Sequence, residues 1–317
     1  MKLIREFEVG ERIEGFYLIK EFNLRTSSNN NKYLDLTLED VSGQINSKIW
    51  NIGEGEEDLY QSGDIIKVRG DITLWMDKMQ LKIIKHRPEE EGDEVDHKLL
   101  ISSAPYEGLA MWEELFTRAQ KIEKESLRKM AIAALEVHKE KMLYYPAAKS
   151  NHHSIRGGLL YHLLRMYKAG EMLSELYELD ADLVFAGVIY HDLEKITEMS
   201  ANEMGIVSTY TKEGTLLGHI ISGIGRIEKI AEEVGCDEET KLLLQHMVLT
   251  HHYEPEYGSP KKPMFPEAEL LHYLDIIDAR IYDMQKAVSN IEEGSFSSPV
   301  FSLGRRTVYK PLESEEE

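Results

Sequence analysis

Only one cysteine, Cys236, stands in 317 residues, which excludes an internal disulfide framework and leads us to expect a reducing compartment. No apolar run approaches the roughly 20 residues that span a bilayer. The Met1-Lys2-Leu3 start has no signal-peptide hydrophobic region, so a cytoplasmic chain without a membrane partner is expected. Basic charge is also short: 37 Lys and Arg against 57 Asp and Glu leave a formal net charge of −20. That balance argues against broad electrostatic binding to duplex DNA, which needs a basic face. A single strand gripped locally by stacking remains compatible with it. Glycine-rich phosphate loops are missing as well. Gly223 and Gly225 follow no strand and lack a third glycine, and there is no Walker motif and no Ser/His/Asp elbow.

What is present divides at an acidic stretch. Length alone predicts two domains or one large one. Residues 1–90 carry 13 basic and 17 acidic side chains and the rest 24 and 40, so the acid excess gathers in the C-terminal part. Period-two alternation predicts strands over 14–23, 32–39, 44–50, 64–71 and 78–86, with a short helix near 56–61. In the second strand Leu34, Leu36 and Leu38 alternate with Tyr33, Asp35 and Thr37. Five strands with a helix between the third and fourth give the order of an OB barrel. Segments 34–40 (LDLTLED) and 63–70 (GDIIKVRG) resemble nucleic-acid-binding OB domains. On that barrel Tyr33, Trp50 and Trp75 are candidates for base stacking, with Lys48, Arg69 and Lys82 beside them. Trp75 falls in the expected hairpin loop 74–78.

Residues 89–104 read as an acidic linker after a barrel domain at 1–88. From 105 to 295 an all-α domain is expected, with helices over 156–176, 181–194, 216–234, 238–250 and 268–290. Asp180 and Asp237 are N-cap candidates and Gly235 a helix stop. Residues 296–317 read as an extended segment, holding Arg305, Arg306 and Lys310 among aromatics, and an acidic tail.

Nine of the 12 histidines lie between His152 and His272, on this helical stretch. A lone histidine on an apolar helix face is ordinarily a satisfied core residue. Here one follows another on successive helices, with a His191-Asp192 doublet at the end of a segment apolar on nearly all faces. A carboxylate buried there needs a cation or a firm partner. Imidazole and carboxylate without thiolate is the ligand set of a hydrolytic metal centre. Lys195 stands at i+3 from Asp192, over the same face. His152, His153 and Arg156, with Lys149, precede a helix whose N-terminus favours anions, so they are candidates for substrate contact.

The order His162, His191-Asp192, His219, His251, His252, Asp275 resembles the HD-domain phosphohydrolases with a two-metal centre. Segments 146–153 (PAAKSNHH), 157–162 (GGLLYH), 191–195 (HDLEK), 214–219 (GTLLGH), 249–252 (LTHH), 258–263 (GSPKKP) and 271–275 (LHYLD) are similar to the YhaM-type 3′–5′ exoribonucleases. The resemblance runs from about residue 10 to 311. It implies an OB domain followed by an HD domain, and it makes those seven residues metal ligands, with Asp192 and Lys195 catalytic. Glu194 departs from the glycine usual before the lysine, and His246 falls outside the ligand order.

The implied activity is release of nucleoside 5′-monophosphates from the 3′ end of single-stranded RNA, with single-stranded DNA as a further substrate. The implied cofactor is a pair of divalent cations. Mn²⁺ is the first choice for such a site, and Fe²⁺, Co²⁺ and Mg²⁺ are alternatives. The rival readings are hydrolysis of free nucleotides or cyclic dinucleotides, and non-catalytic single-strand binding. Assembly into a homo-oligomer stays open.

Overall fold

A computed structural model of the chain describes residues 1–317 apart from Ser28, Glu54, Asp77, Ser150, Asn151, Asn290 and residues 313–317. The expected acidic tail therefore lies, beyond Leu312, outside the described residues, as do Asp77 of the expected 74–78 loop and two residues of the 146–153 segment. The chain divides into two compact units, Met1–Ser103 and Ala104–Glu317.

In the first unit β1 (Arg12–Thr26), β2 (Lys32–Asp40), β3 (Gly43–Trp50), β4 (Ile65–Trp75) and β5 (Lys78–Pro88) close into a barrel of order β1-β2-β3-β5-β4. A single 3₁₀ turn, Glu56–Leu59, joins β3 to β4, and only the β3–β5 pairing is parallel. This is the OB architecture, and alternation produces it. Leu34, Leu36 and Leu38 are fully buried beside Tyr17, Ile19, Ile66 and Leu81; each such side chain contributes about 1.5–3 kcal/mol. The intervening side chains face outward. Tyr33 pairs with Trp50, Asp35 with Lys48, and Lys48 with Lys82, so these residues share one outer face. The acidic stretch expected as a linker belongs to this unit. Arg87 is paired with Asp93 at 2.7 Å, and the Val41 N–H donates to the Leu99 carbonyl at 3.0 Å.

The second unit is a helical bundle. In order it contains α1 (Gly108–Ala119), α2 (Glu125–Val137), α3 (Lys139–Met142), α4 (Gly158–Tyr177), α5 (Ala181–His191), α6 (Lys195–Glu198), β6 (Met199–Ala201), β7 (Val207–Tyr210), α7 (Lys212–Val234), α8 (Glu238–Thr250) and α9 (Pro266–Val288). Apolar on every face, α5 becomes the hub, buried from Leu183 to His191 and packed by α2, α4, α7, α8 and α9. Gly187 permits this closeness, because a Cβ there would lie 2.3 Å from Met247 Cε and 3.3 Å from Leu271 Cδ2. Asp180 and Asp237 cap α5 and α8 by accepting from Leu183 N at 3.0 Å and Thr240 N at 2.9 Å. Gly235 ends α7 in the left-handed conformation.

The expected all-α domain is interrupted between α6 and α7. The strands β6 and β7 form a hairpin turned at Gly205 (φ +76°). Val207 and Thr209 favour extended backbone there, and four residues are too few to show a period. The C-terminal segment is extended as expected, closing on itself through Phe296–Tyr309 and Val300–Arg306 bridges. Among the described residues no helix is long and apolar enough to cross a membrane.

Candidate metal centre

Five elements bring their histidines and aspartates to one place. His162 lies one turn into α4, His191 ends α5, and Asp192 is its C-cap. His219 follows Gly218, whose φ of +69° and ψ of 167° break α7 and restart it in a new direction. His251 and His252 come off the end of α8, and Asp275 lies midway along α9. The chain leaves its helices at three of these points, which lets adjacent side chains turn to the same side.

Asp192 stands between two groups. Its Oδ2 lies 3.3 Å from His191 Nε2 and 3.8 Å from His162 Nε2, while Oδ1 lies 3.6 Å from His219 Nε2 and 3.9 Å from His251 Nε2. Asp275 Oδ1 is 3.3 Å from His162 Nε2. Asp192, His219, His251 and His252 place ligand atoms within 4.8 Å of one another, and so do His162, His191 and Asp192. All seven residues expected as ligands are therefore in one cage.

The outer nitrogen of each imidazole decides what the inner one can do. Nδ1 of His191, His251 and His252 contacts the carbonyls of Val188, Val248 and Tyr257, each at 2.7 Å. A carbonyl only accepts, so these Nδ1 atoms carry the hydrogen. His162 Nδ1 bonds Asp278 Oδ2 at 2.7 Å and His219 Nδ1 bonds Glu198 Oε2 at 3.1 Å. With Nδ1–H committed outward, the lone pair of each Nε2 points into the cage. Inside, Nε2 of His162, His191, His219 and His251 and Oδ1 of Asp192 are buried without a hydrogen-bond partner. Buried polar atoms are normally satisfied, and five orphans converging on one space suit cations bound by nitrogen and carboxylate.

Titration agrees. Burial, and then the neighbouring His252 and His191, push the His251 imidazole well below its usual range, keeping it neutral. Burial alone would raise the Asp192 carboxyl, but His191 and Lys195 outweigh it and hold it ionised. Burial likewise opposes charge on Lys195, yet Asp192 and Asp275 raise it above its ordinary value. The Lys195 ammonium donates to Asp192 Oδ2 at 2.6 Å, so it sits on the cage wall.

Behind His162, Asp278 accepts from His153 Nε2 and His162 Nδ1, both at 2.7 Å, and pairs with Arg165. This uses His153 up: it is fully buried, with its ring against Tyr282 at 4.0 Å. It is expected from sequence to touch substrate, and its place is behind His162. His152 does stand beside the cage, half-buried, its ring 5.7 Å from that of His162. Lys149 and Arg156 instead brace the β6–β7 hairpin, donating to the Ser208 carbonyl at 3.3 Å and the Glu203 carbonyl at 3.1 Å. Glu194 neither meets Lys195 nor faces solvent. It is buried and accepts from Arg226 at 2.7 Å, Thr197 at 2.8 Å and His138 at 3.2 Å. His246 lies outside the cage, accepting from Met264 N at 3.0 Å.

On the barrel, Tyr33 and Trp50 stack on each other with centroids 4.5 Å apart, and Lys48 lies 5.1 Å from the Tyr33 ring. Asp35 holds Lys48 at 3.2 Å and Arg25 at 3.0 Å. Trp75, paired with Lys78 at the hairpin end, is 64% exposed. Two supporting residues escaped the sequence reading. Glu198 lies on a four-residue helix too short for any period. His272, buried, donates from Nδ1 to the His251 carbonyl at 2.7 Å and carries the Tyr253 ring at 4.7 Å. Its place one turn before Asp275 was the only available signal.

A barrel followed by a helical cage of histidines and aspartates defines an OB-plus-HD hydrolase, and the HD domain family model matches residues 159–280. Over 312 residues, 98% of this chain and 95% of the relative, it is 38% identical to 3′-5′ exoribonuclease YhaM of Geobacillus sp. (strain WCH70). The chain belongs to the YhaM 3′–5′ exoribonuclease family. Among solved structures, the second OB-fold domain of replication protein A from Methanococcus maripaludis overlaps 29% of this chain and 98% of its own, at 18% identity and a TM-score of 0.24. The mitochondrial single-stranded DNA binding protein Rim1 from S. cerevisiae overlaps 27% and 100%, at 19% identity and a TM-score of 0.22. Both overlaps are the size of the barrel, whose strand order establishes its architecture without them.

Proposed function

We propose that this enzyme hydrolyses single-stranded RNA from its 3′ end to nucleoside 5′-monophosphates, with single-stranded DNA as a second substrate. The observation that carries the reading is Asp192, with one carboxylate oxygen toward each group of imidazoles, in a chain similar over almost its whole length to a 3′-5′ exoribonuclease.

Two divalent cations, Mn²⁺ first and Fe²⁺, Co²⁺ or Mg²⁺ as alternatives, fit the nitrogen–carboxylate set. His162, His191, Asp192 and Asp275 would hold one, and Asp192, His219, His251 and His252 the other. When bound, they supply Lewis acidity toward phosphate oxygens and make water acidic enough to attack at neutral pH. The chain's own residues do the rest. Asp278 and Glu198 keep His162 and His219 turned inward. Lys195, held charged on Asp192, offers a fixed positive charge to the phosphate as negative charge builds on it. His152 supplies a neutral ring beside His162 for a phosphate or base. In the reaction water adds to phosphorus, the P–O3′ bond breaks and the 3′ oxygen takes a proton. Tyr33, Trp50 and Trp75 would stack bases on the barrel.

A 5′-labelled oligoribonucleotide, a 3′-blocked copy and a panel of free nucleotides test this. A ladder shortening from the 3′ end, stopped by the block and by Asp192→Asn, is the expected outcome. Hydrolysis of free nucleotides with the oligomer untouched would reject the proposal.

A further inference from the structure

The C-terminal segment is unlike the rest of this acidic chain. Acids make up 57 of 317 residues, yet residues 295–310 contain Arg305, Arg306 and Lys310 and none. The segment is also folded. Its bridges close it, the Val300 carbonyl accepts from Arg305 N at 2.8 Å, and Leu303 and Val308 are buried while Asp283 of α9 is hydrogen-bonded to Ser302. Gly304 (φ +67°) and Arg305 (φ +62°) turn the chain tightly; Ser297 is buried with the apolar anchors, Val300 and Lys310 are half-buried, and the arginines and aromatic rings are exposed. What faces solvent is aromatic and basic: Phe301 is 80% exposed, Phe296 65% and Tyr309 44%. Phe296 and Tyr309 lie side by side at 5.0 Å, and the Arg305 guanidinium lies 6.0 Å from the Phe301 ring. Neither Arg305 nor Arg306 has a carboxylate within ion-pair distance among the described residues.

Resting on the exoribonuclease reading, we infer that this hairpin is a second contact surface for single-stranded RNA, binding the strand upstream of its 3′ end. Exposed rings beside arginines that lack a carboxylate partner among the described residues, Arg306 donating only to the Leu303 carbonyl at 2.9 Å, are the chemistry that stacks bases and neutralises phosphates. The hairpin is anchored on the same helix as the cage. Asp283 lies eight residues beyond Asp275, about 12 Å along the axis, or three to four nucleotides at the ~3.4 Å spacing of stacked bases. The surface therefore serves substrates longer than about four nucleotides.

The test uses the full chain and compares KM for 4-mer and 12-mer oligoribonucleotides. The salt dependence of binding to a fluorescent 12-mer in EDTA is measured alongside. In R305A/R306A the KM advantage of the 12-mer over the 4-mer should fall about tenfold, and the log–log salt slope should drop by about 1.4, at ~0.7 per phosphate lost. Arg305→Lys with Arg306→Lys should restore the slope by restoring charge. Phe301→Ala should weaken binding while leaving the slope as it was. An unchanged length advantage and slope in R305A/R306A would overturn the inference. So would a variant that changes only the oligomeric state, which would make the occupant a second copy. A wild-type chain that leaves oligoribonucleotides intact would count against the exoribonuclease reading instead, with the salt slope still deciding for or against the surface.

Discussion

Glu198 grips His219 twice: Oε2 accepts from the ring Nδ1 at 3.1 Å and Oε1 from the backbone N–H at 3.3 Å. Carboxylates behind ligand histidines typically govern metal affinity by ten- to a hundredfold. Glu198→Gln keeps the shape and loses the charge. Calorimetric titration with Mn²⁺ should show one of two binding events weakened by about that factor. Two events of wild-type affinity would mean that Glu198 does not position this ligand.

Asp278 concentrates three donors, His153, His162 and Arg165, on one buried carboxylate. Removing it takes this acceptor from all three, leaving Arg165 only the Tyr161 hydroxyl at 3.4 Å, as when one partner of a buried pair is deleted. Asp278→Ala should cost about 3 kcal/mol, roughly 6–12 °C in the melting of a unit of this size. A scanning-calorimetry loss under about 1 kcal/mol would contradict this role.

Two glycines of α7 should respond in opposite directions. Gly218 occupies φ +69°, ψ 167°, a region nearly closed to other residues, so Gly218→Ala should cost about 1–3 kcal/mol and displace His219, with loss of activity. Gly225 sits in regular helix with nothing within 4 Å of an added Cβ. Gly225→Ala should stabilise by about 0.5–1 kcal/mol with activity kept. Melting curves and turnover of the two variants check the contrast, and equal effects would remove the kink from the account.

The barrel carries its own pH dependence. The Tyr60 hydroxyl meets His86 Nδ1 at 2.8 Å, and burial pushes the tyrosine up to about 12, so the hydroxyl donates and His86 accepts. Burial outweighs Glu56 and lowers His86 below its ordinary 6.5. Below that value the unfolded chain binds a proton that the folded barrel refuses. Stability present above pH 6.5 is therefore lost as pH falls through and below it. His86→Gln keeps an acceptor for Tyr60 and should flatten the slope of denaturant stability below pH 6.5. An unchanged slope would place the titrating group elsewhere.

The cage was legible because histidines follow one another on successive apolar helices, with the Asp192 carboxylate among them, where a single one would pass for a core residue. Which residues belong to it, His162, His191-Asp192, His219, His251, His252 and Asp275 but not His246, followed from the resemblance to the HD-domain family rather than from residue type. Glu198, His272 and the β6–β7 hairpin were not legible. Their roles depend on where a four-residue helix and two short strands fold back, and no periodicity records that. His153 was misplaced for a related reason. Its neighbour His152 stands beside the cage, but a left-handed backbone at His153 (φ +52°) turns its ring behind His162. Nor does residue type reveal that Glu194 faces His138 and Arg226, which come from distant parts of the chain.

Anomalous diffraction from crystals grown with Mn²⁺ tests the two-cation site most directly. Two peaks are expected, one bounded by His162, His191 and Asp275, the other by His219, His251 and His252, with Asp192 between them. A single peak, or a cage whose imidazoles turn away from the ion, would contradict it.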